Sequence, residues 1–91
     1  MDEKLMEDKK LIDGISLVEM SSYRKKVLEL LIDRVKTPSN IGKEIKISTS
    51  NISRALKELE NEELVICLNP EKKLGRIYTA TDRGKKVLKY I

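Results

Sequence analysis

The sequence contains no histidine, no tryptophan, no phenylalanine and no glutamine. Without histidine it lacks the side chain most often used as a general base and as a metal ligand. A lone cysteine, Cys67, excludes an internal disulfide. It is read as a small apolar filler of a strand, since no second cysteine or histidine could join it in a metal or redox centre. The four glycines, Gly14, Gly42, Gly75 and Gly84, are too scattered to form a phosphate-cradling loop. Tyr23 and Tyr78 are read as packing at the edge of a core, not as stacking platforms. No apolar run approaches the roughly 20 residues that span a bilayer, and no signal-peptide pattern opens the sequence. A cytoplasmic protein is therefore expected, without a membrane partner. With neither a catalytic triad nor a metal-ligand set, an enzyme is not expected, and no catalytic residue, metal or cofactor is assigned.

What remains is a chain of 91 residues, enough for one domain with a modest core. Hydrophobic residues at 40% and charged residues at 37% suit a soluble globular fold. The net charge of +4 is unevenly spread. Residues 1–20 hold three lysines and six acids, a sum of −3, whereas residues 21–91 hold sixteen Lys and Arg against nine Asp and Glu, a sum of +7. A basic body of this kind matches the electrostatic footprint of a nucleic-acid binder.

Periodicity divides the chain into residues 1–20, an acidic N-terminal arm that is helical or partly disordered, and residues 21–91, a folded domain. Apolar spacing is irregular in the arm, and Gly14 interrupts it. A first clear helix starts at Ser21 or Ser22, whose hydroxyl suits an N-cap. It carries Tyr23, Val27, Leu30, Leu31, Arg34 and Val35 at three- and four-residue spacing, and is expected to end before Thr37-Pro38. There a second helix begins, with Thr37 as cap and Pro38 in the first helical position. Gly42, between the inward Ile41 and Ile45, suggests the close approach of another helix. After Lys46-Ile47-Ser48 a third helix is expected over about 49–63, with Ile52, Ala55, Leu56 and Leu59 turned inward. Two short strands over 64–68 and 76–80 flank a turn-rich tip at 69–75. A last helix runs over 82–90, capped by Thr81, with Val87, Leu88 and Ile91 closing the core. The fold class is mainly α with a small β-hairpin: a winged helix-turn-helix, that is, a three-helix bundle with a wing and a C-terminal helix.

Two helices joined by a tight turn define the DNA-binding helix-turn-helix, whose second helix enters the major groove. The outer face of the third helix suits that task. Thr49, Ser50, Asn51, Ser53, Arg54 and Lys57 can donate to or accept from base edges and phosphates. Arg54 can meet guanine O6 and N7 together. Asn51 either pairs with adenine or completes the Ser48 capping turn. Lys57, one turn on, suits phosphate. Ser39, Asn40 and Lys43 of the second helix can reach the backbone, as can Lys72, Lys73 and Arg76 of the wing. Arg24, Lys25 and Lys26 add positive charge at the start of the first helix. The acids Glu58, Glu60, Glu62 and Glu63 crowd the end of the third and should be held away from phosphates.

The strings Ser22-Tyr23-Arg24-Lys25-Lys26-Val27-Leu28 and Thr37-Pro38-Ser39-Asn40-Ile41-Gly42-Lys43-Glu44-Ile45 carry a resemblance. So do the stretches at 52–60, 64–70, 75–78 and 81–85. Together they are similar to archaeal winged helix-turn-helix transcriptional regulators of the broad MarR/ArsR type. The resemblance implies sequence-specific binding of double-stranded DNA, often by a homodimer on a two-fold operator, with the third helix in the major groove and the 69–75 wing on flanking backbone or minor groove. Gly42 departs from it, standing where a small alanine is more usual. No small-molecule effector is identifiable. Two other readings stay open: a non-specific architectural DNA-binding protein, which the modest net charge disfavours, and a winged-helix protein-protein interaction module, which the basic outer face of the third helix disfavours.

Overall fold

The computed structural model describes the backbone of residues 3–91 and the side chains of residues 8–91. In chain order the elements are α1 (Glu3–Glu19), α2 (Ser22–Leu30), α3 (Pro38–Ile45), α4 (Thr49–Asn61), β1 (Val65–Cys67), β2 (Tyr78–Ala80) and α5 (Asp82–Leu88). β1 and β2 form one antiparallel hairpin, with Val65 opposite Ala80, Ile66 opposite Thr79 and Cys67 opposite Tyr78. Helices α2, α3 and α4 make the bundle, the hairpin extends from α4, and α1 and α5 pack together across its back. Among the described residues no helix is long and apolar enough to cross a membrane.

Helix starts follow local cap chemistry at three of four places. The Thr37 hydroxyl accepts the Asn40 N–H at 3.1 Å, with Pro38 at the first helical position. The Ser48 hydroxyl accepts the Asn51 N–H at 3.4 Å, and that of Thr81 accepts the Gly84 N–H at 3.1 Å. Each bond satisfies one of the backbone donors that a helix start leaves open. Ser21 is the exception. It occupies the cap position of α2, but its hydroxyl makes no capping bond.

Helix α2 is shorter than its apolar spacing suggests. It stops at Leu30, Asp33 takes the left-handed conformation (φ 55°), and Val35 is exposed. The cause lies far away in sequence. Lys36 and Tyr78 exchange backbone hydrogen bonds of 3.1 and 2.9 Å, and the Leu31 carbonyl accepts the Ala80 N–H at 3.0 Å. The Thr79 hydroxyl donates to the Arg34 carbonyl at 2.7 Å. Residues 31–36 thus leave the helix to line the open edge of β2, a tertiary gain that outweighs local helical preference.

Helix α1 runs unbroken through Gly14. Val18 is fully buried in the core, and Leu11, Ile15 and Leu17 pack against it. Gly14 serves contact here. A Cβ at that position would stand 3.0 Å from Val87 Cγ2 and 3.3 Å from Leu64 Cδ2. The core itself joins every helix: Val18, Leu28, Leu31, Ile41, Ile52, Leu56, Leu59, Leu64 and Val87 are all sealed from solvent. Each such side chain contributes about 1.5–3 kcal/mol relative to exposure.

Other expected boundaries shift by a residue or more. Helix α4 ends at Asn61. Glu63 turns left-handed (φ 61°), and the Leu64 N–H returns to the Leu59 carbonyl at 2.9 Å, closing the last turn. α5 ends at Leu88, and Ile91 is exposed, so Val87 and Leu88 close the core without it. At Gly42 the neighbours are the turn that follows and, as its place between Ile41 and Ile45 suggests, the adjacent helix α4. A Cβ would lie 2.7 Å from the Ile47 carbonyl oxygen and 3.7 Å from Ile52 Cγ1.

Of the four glycines the most tightly packed is Gly84, where a Cβ would overlap the backbone carbonyl oxygen of Leu64. Backbone cannot retreat as a side-chain tip can, so Gly84→Ala is expected to destabilise the protein by about 3 kcal/mol. Gly75→Ala, with open space but φ +69°, is expected to cost only about 1 kcal/mol. Urea unfolding followed by circular dichroism checks the ranking; equal midpoints for the two variants would contradict it.

Candidate nucleic-acid interface

Helix α4 divides cleanly into two faces. Ile52, Ala55, Leu56 and Leu59 are fully buried, while Thr49, Ser50, Asn51, Ser53, Arg54 and Lys57 are all exposed. Residues 49, 53, 57 and 60 fall at three- and four-residue spacing and form one stripe along the helix. That stripe is one wall of a groove of about 650 Å³. The opposite wall is the hairpin tip, with Lys73, Leu74, Gly75 and Arg76, and Thr37, Pro38 and Ser39 close it at the start of α3.

Of the residues singled out from the sequence, the groove gathers Ser39, Thr49, Ser53, Lys57, Lys73 and Arg76. Asn40, Lys43, Ser50, Asn51, Arg54 and Lys72 are exposed but outside its lining. The Asn51 backbone N–H completes the Ser48 cap, which leaves its exposed side-chain amide available for another partner. Among the described residues, Lys43, Arg54, Lys57, Lys72 and Lys73 have no carboxylate partner. Lys36, by contrast, pairs with Glu44 at 3.0 Å and Lys85 with Asp33 at 2.7 Å. The Asp33 carboxylate holds the Lys85 ammonium above the ordinary lysine value.

Arg24 leaves the set of surface cations. Its guanidinium donates to the Leu17 carbonyl at 2.9 Å and to Glu58 Oε2 at 2.5 Å, and its side chain is only 14% exposed. One side chain thereby ties the end of α1, the start of α2 and the last turn of α4. The fit is incomplete, since Arg24 Nε and Glu58 Oε1 are buried without a hydrogen-bond partner among the described residues. The acids of α4 are therefore not uniformly solvated. Glu58 is bound to Arg24, and Glu63 lies 3.3 Å from Arg83. Glu60 is not held away from the site as expected: it lines the groove at the far end of the stripe.

The hairpin tip is organised by a residue that sequence reasoning treated only as turn-forming. Asn69 accepts the Ile77 N–H at 2.9 Å and the Cys67 thiol at 3.5 Å, and donates to the Gly75 carbonyl at 3.1 Å. Arg76 completes the frame by donating to the Lys72 carbonyl at 2.6 Å and the Pro70 carbonyl at 3.2 Å. Arg76 is thus part of the wing's scaffold as well as of its charge. Behind it, burial pushes the Tyr78 phenol up from its ordinary value, opposed by its hydrogen bond with Arg76. The Asn-Pro pair at 69–70 was the available signal, because an asparagine side chain commonly closes such turns.

A helix-turn-helix that presents a polar, cationic second helix beside a rigid basic hairpin defines a winged helix-turn-helix protein. The model of the bacterial regulatory protein arsR family matches residues 21–66, from the residue before α2 to the middle of β1, and the chain belongs to that family. Two variant structures of ZitR from Lactococcus lactis are similar at 25% identity and a TM-score of 0.66, covering 77% of this chain and 49% of theirs. The chain therefore spans about half the length of those two. Wild-type ZitR solved in complex with DNA is 21% identical, with a TM-score of 0.66 over 98% of this chain and 72% of that one. NolR from Sinorhizobium fredii, 18% identical, reaches a TM-score of 0.71 over 99% of this chain and 89% of its own. At these two lower identities the likeness concerns the fold. No curated protein matches the chain in sequence.

Breaking the Arg24 tie leaves Glu58 partly buried and uncompensated. Arg24→Ala is expected to cost about 2–3 kcal/mol of stability, against about 0.5 kcal/mol or less for the exposed Lys25→Ala. Chemical denaturation of both variants measures the difference. Equal losses would mean that Arg24 is an ordinary surface cation.

Proposed function

We propose that this protein is a cytoplasmic transcriptional regulator that binds double-stranded DNA sequence-specifically as a homodimer. The observation that carries this reading is the outer face of α4, where exposed hydroxyl, amide and cationic side chains stand beside a basic hairpin. In the reading, α4 lies in the major groove. Arg54 meets guanine, Asn51 meets adenine, and Thr49, Ser50 and Ser53 contact neighbouring base edges or phosphates. Lys57, Ser39, Asn40 and Lys43 grip phosphate oxygens, and the wing places Lys72, Lys73 and Arg76 on the flanking strand. The family of the chain and the ZitR–DNA complex support the choice of DNA over other acidic partners.

One such helix contacts too few base pairs for useful specificity, which is why a two-fold pair is proposed. The surface for it is formed by α1 and the C-terminal end. These pack together, and they expose Ile12 on α1 and Tyr90 and Ile91 after α5.

Selection of bound duplexes from a random pool, at near-physiological salt, tests the reading. A two-fold motif is expected with the natural sequence, and its loss with Arg54→Ala. Lys57→Ala is expected to weaken all duplexes alike and to lower the salt-dependence slope by about 1. Binding without enrichment would transfer the protein to the architectural class, and no binding at all would make it a protein-interaction module.

A further inference from the structure

Leu74 is the most exposed large apolar side chain among the described residues, at 88%. A solitary exposed leucine is ordinary on a protein surface. This one is held out by a hydrogen-bonded frame. Asn69 bonds to Gly75 and Ile77 on one side, and Arg76 to Lys72 and Pro70 on the other. The Lys72 N–H closes on the Asn69 carbonyl at 3.0 Å. Gly75 follows it at φ +69° with open space where a Cβ would stand. The side chain is flanked by Lys72, Lys73 and Arg76 and lines the same groove as Thr49, Ser53 and Lys57.

The groove has the chemistry of a sugar–phosphate strand. Its α4 wall offers the Thr49 and Ser53 hydroxyls and the Lys57 ammonium, its α3 end offers Ser39, and its wing wall offers Lys73 and Arg76. The carboxylate of Glu60 marks the end at which a phosphate would be repelled. In B-DNA a single backbone strand separates the major groove from the next minor groove. With α4 in the major groove and that strand in the cleft, the far lip lies over the minor groove. The far lip carries Leu74.

From this geometry we infer that Leu74 is an apolar wedge that enters the minor groove beside the α4 site and opens a base step there. Side chains of this kind, flanked by cations, unstack a step and bend the duplex toward the major groove. The step that yields most easily is a pyrimidine–purine one, TA or CA. The partner is therefore duplex DNA with such a step at a fixed distance outside the bases read by α4, a position that Leu74 selects by deformability without a hydrogen bond. The inference rests on the DNA-binding reading above.

Its test measures the bend. The full chain is mixed with its selected duplex, end-labelled for energy transfer, and with a second duplex whose flanking TA step is changed to AA. The natural sequence is expected to bend the first and to bind the second about ten-fold more weakly. In Leu74→Ala the bend and the flank preference should vanish, with affinity for the first duplex reduced about ten-fold. The motif read by α4 should remain. Because Leu74 is exposed and stands outside the core, circular dichroism should be unchanged. Leu74→Met, which keeps an apolar wedge, should retain the bend. If Leu74→Ala bends and discriminates like the natural sequence while Arg54→Ala abolishes specific binding, the wedge is refuted and the DNA-binding reading stands. If the natural sequence enriches no duplex at all, both are refuted.

Discussion

The rest of the structure hangs on the contact between the Leu64 backbone and Gly84. Leu64 is the first residue after the reversal that ends α4, and its N–H returns to the Leu59 carbonyl. Its own carbonyl accepts the Thr81 N–H at 3.0 Å, and the Glu63 carbonyl accepts the Thr81 hydroxyl at 2.6 Å. Only the missing side chain of Gly84 allows α5 to start against this turn. The Leu64 side chain then meets α1 at Gly14. One residue therefore sets three relations: the end of the polar helix, the start of the hairpin, and the seat of the two helices behind them. A shift of Leu64 would move α4 and β1 together, and with them both walls of the groove. Close packing of this kind transmits small displacements instead of absorbing them.

Much of this was legible because it is local. Thr37-Pro38, Ser48 and Thr81 act within three residues of themselves, and each starts a helix where the chain says it should. The two faces of α4 follow from 3.6-residue periodicity alone. What failed to show was non-local. Arg34 and Val35 continue the apolar spacing of α2, but the edge of β2, more than forty residues on, recruits that segment instead. Gly14 reads as a helix breaker in isolation and proves to be a contact point between helices. Its meaning depends on Val87 and Leu64, which no local window contains.

The groove shows the same division. Its cations and hydroxyls could be chosen from exposed helical positions and from a lysine-rich turn. The sequence does not show which of them share a cleft, because the place of the wing depends on contacts distant in sequence such as the Lys36–Tyr78 pairing. Nor could charge alone separate Arg24 from Lys25. Both are basic and adjacent, but one faces Glu58 across 34 positions and the other faces water. Glu60 was missed for the opposite reason. It belongs to an acidic cluster that looks uniform, and only its position on the 49–53–57 stripe turns it toward the site.

The distribution of partners among the charges bears on how the protein would meet a polyanion. Of the four acids at the end of α4, Glu58 is held by Arg24 and Glu63 by Arg83, while Glu60 lines the groove. Residues 1–20 carry an acidic excess in sequence, but α5, which packs against α1, carries Arg83, Lys85 and Lys86. The cations of α4 and the wing, Arg54, Lys57, Lys72 and Lys73, have no carboxylate partners among the described residues, so their charge is not cancelled at contact distance. Unpaired charge of this kind acts on a polyanion over a Debye length, about 8 Å at physiological salt, before any contact forms. The wing and the start of α4 are framed by backbone and side-chain hydrogen bonds, so little ordering of them would oppose the proposed binding. On the proposed reading, affinity for a phosphate backbone would come from charge that is left unpaired, and discrimination from side chains that hydrogen bonds already frame.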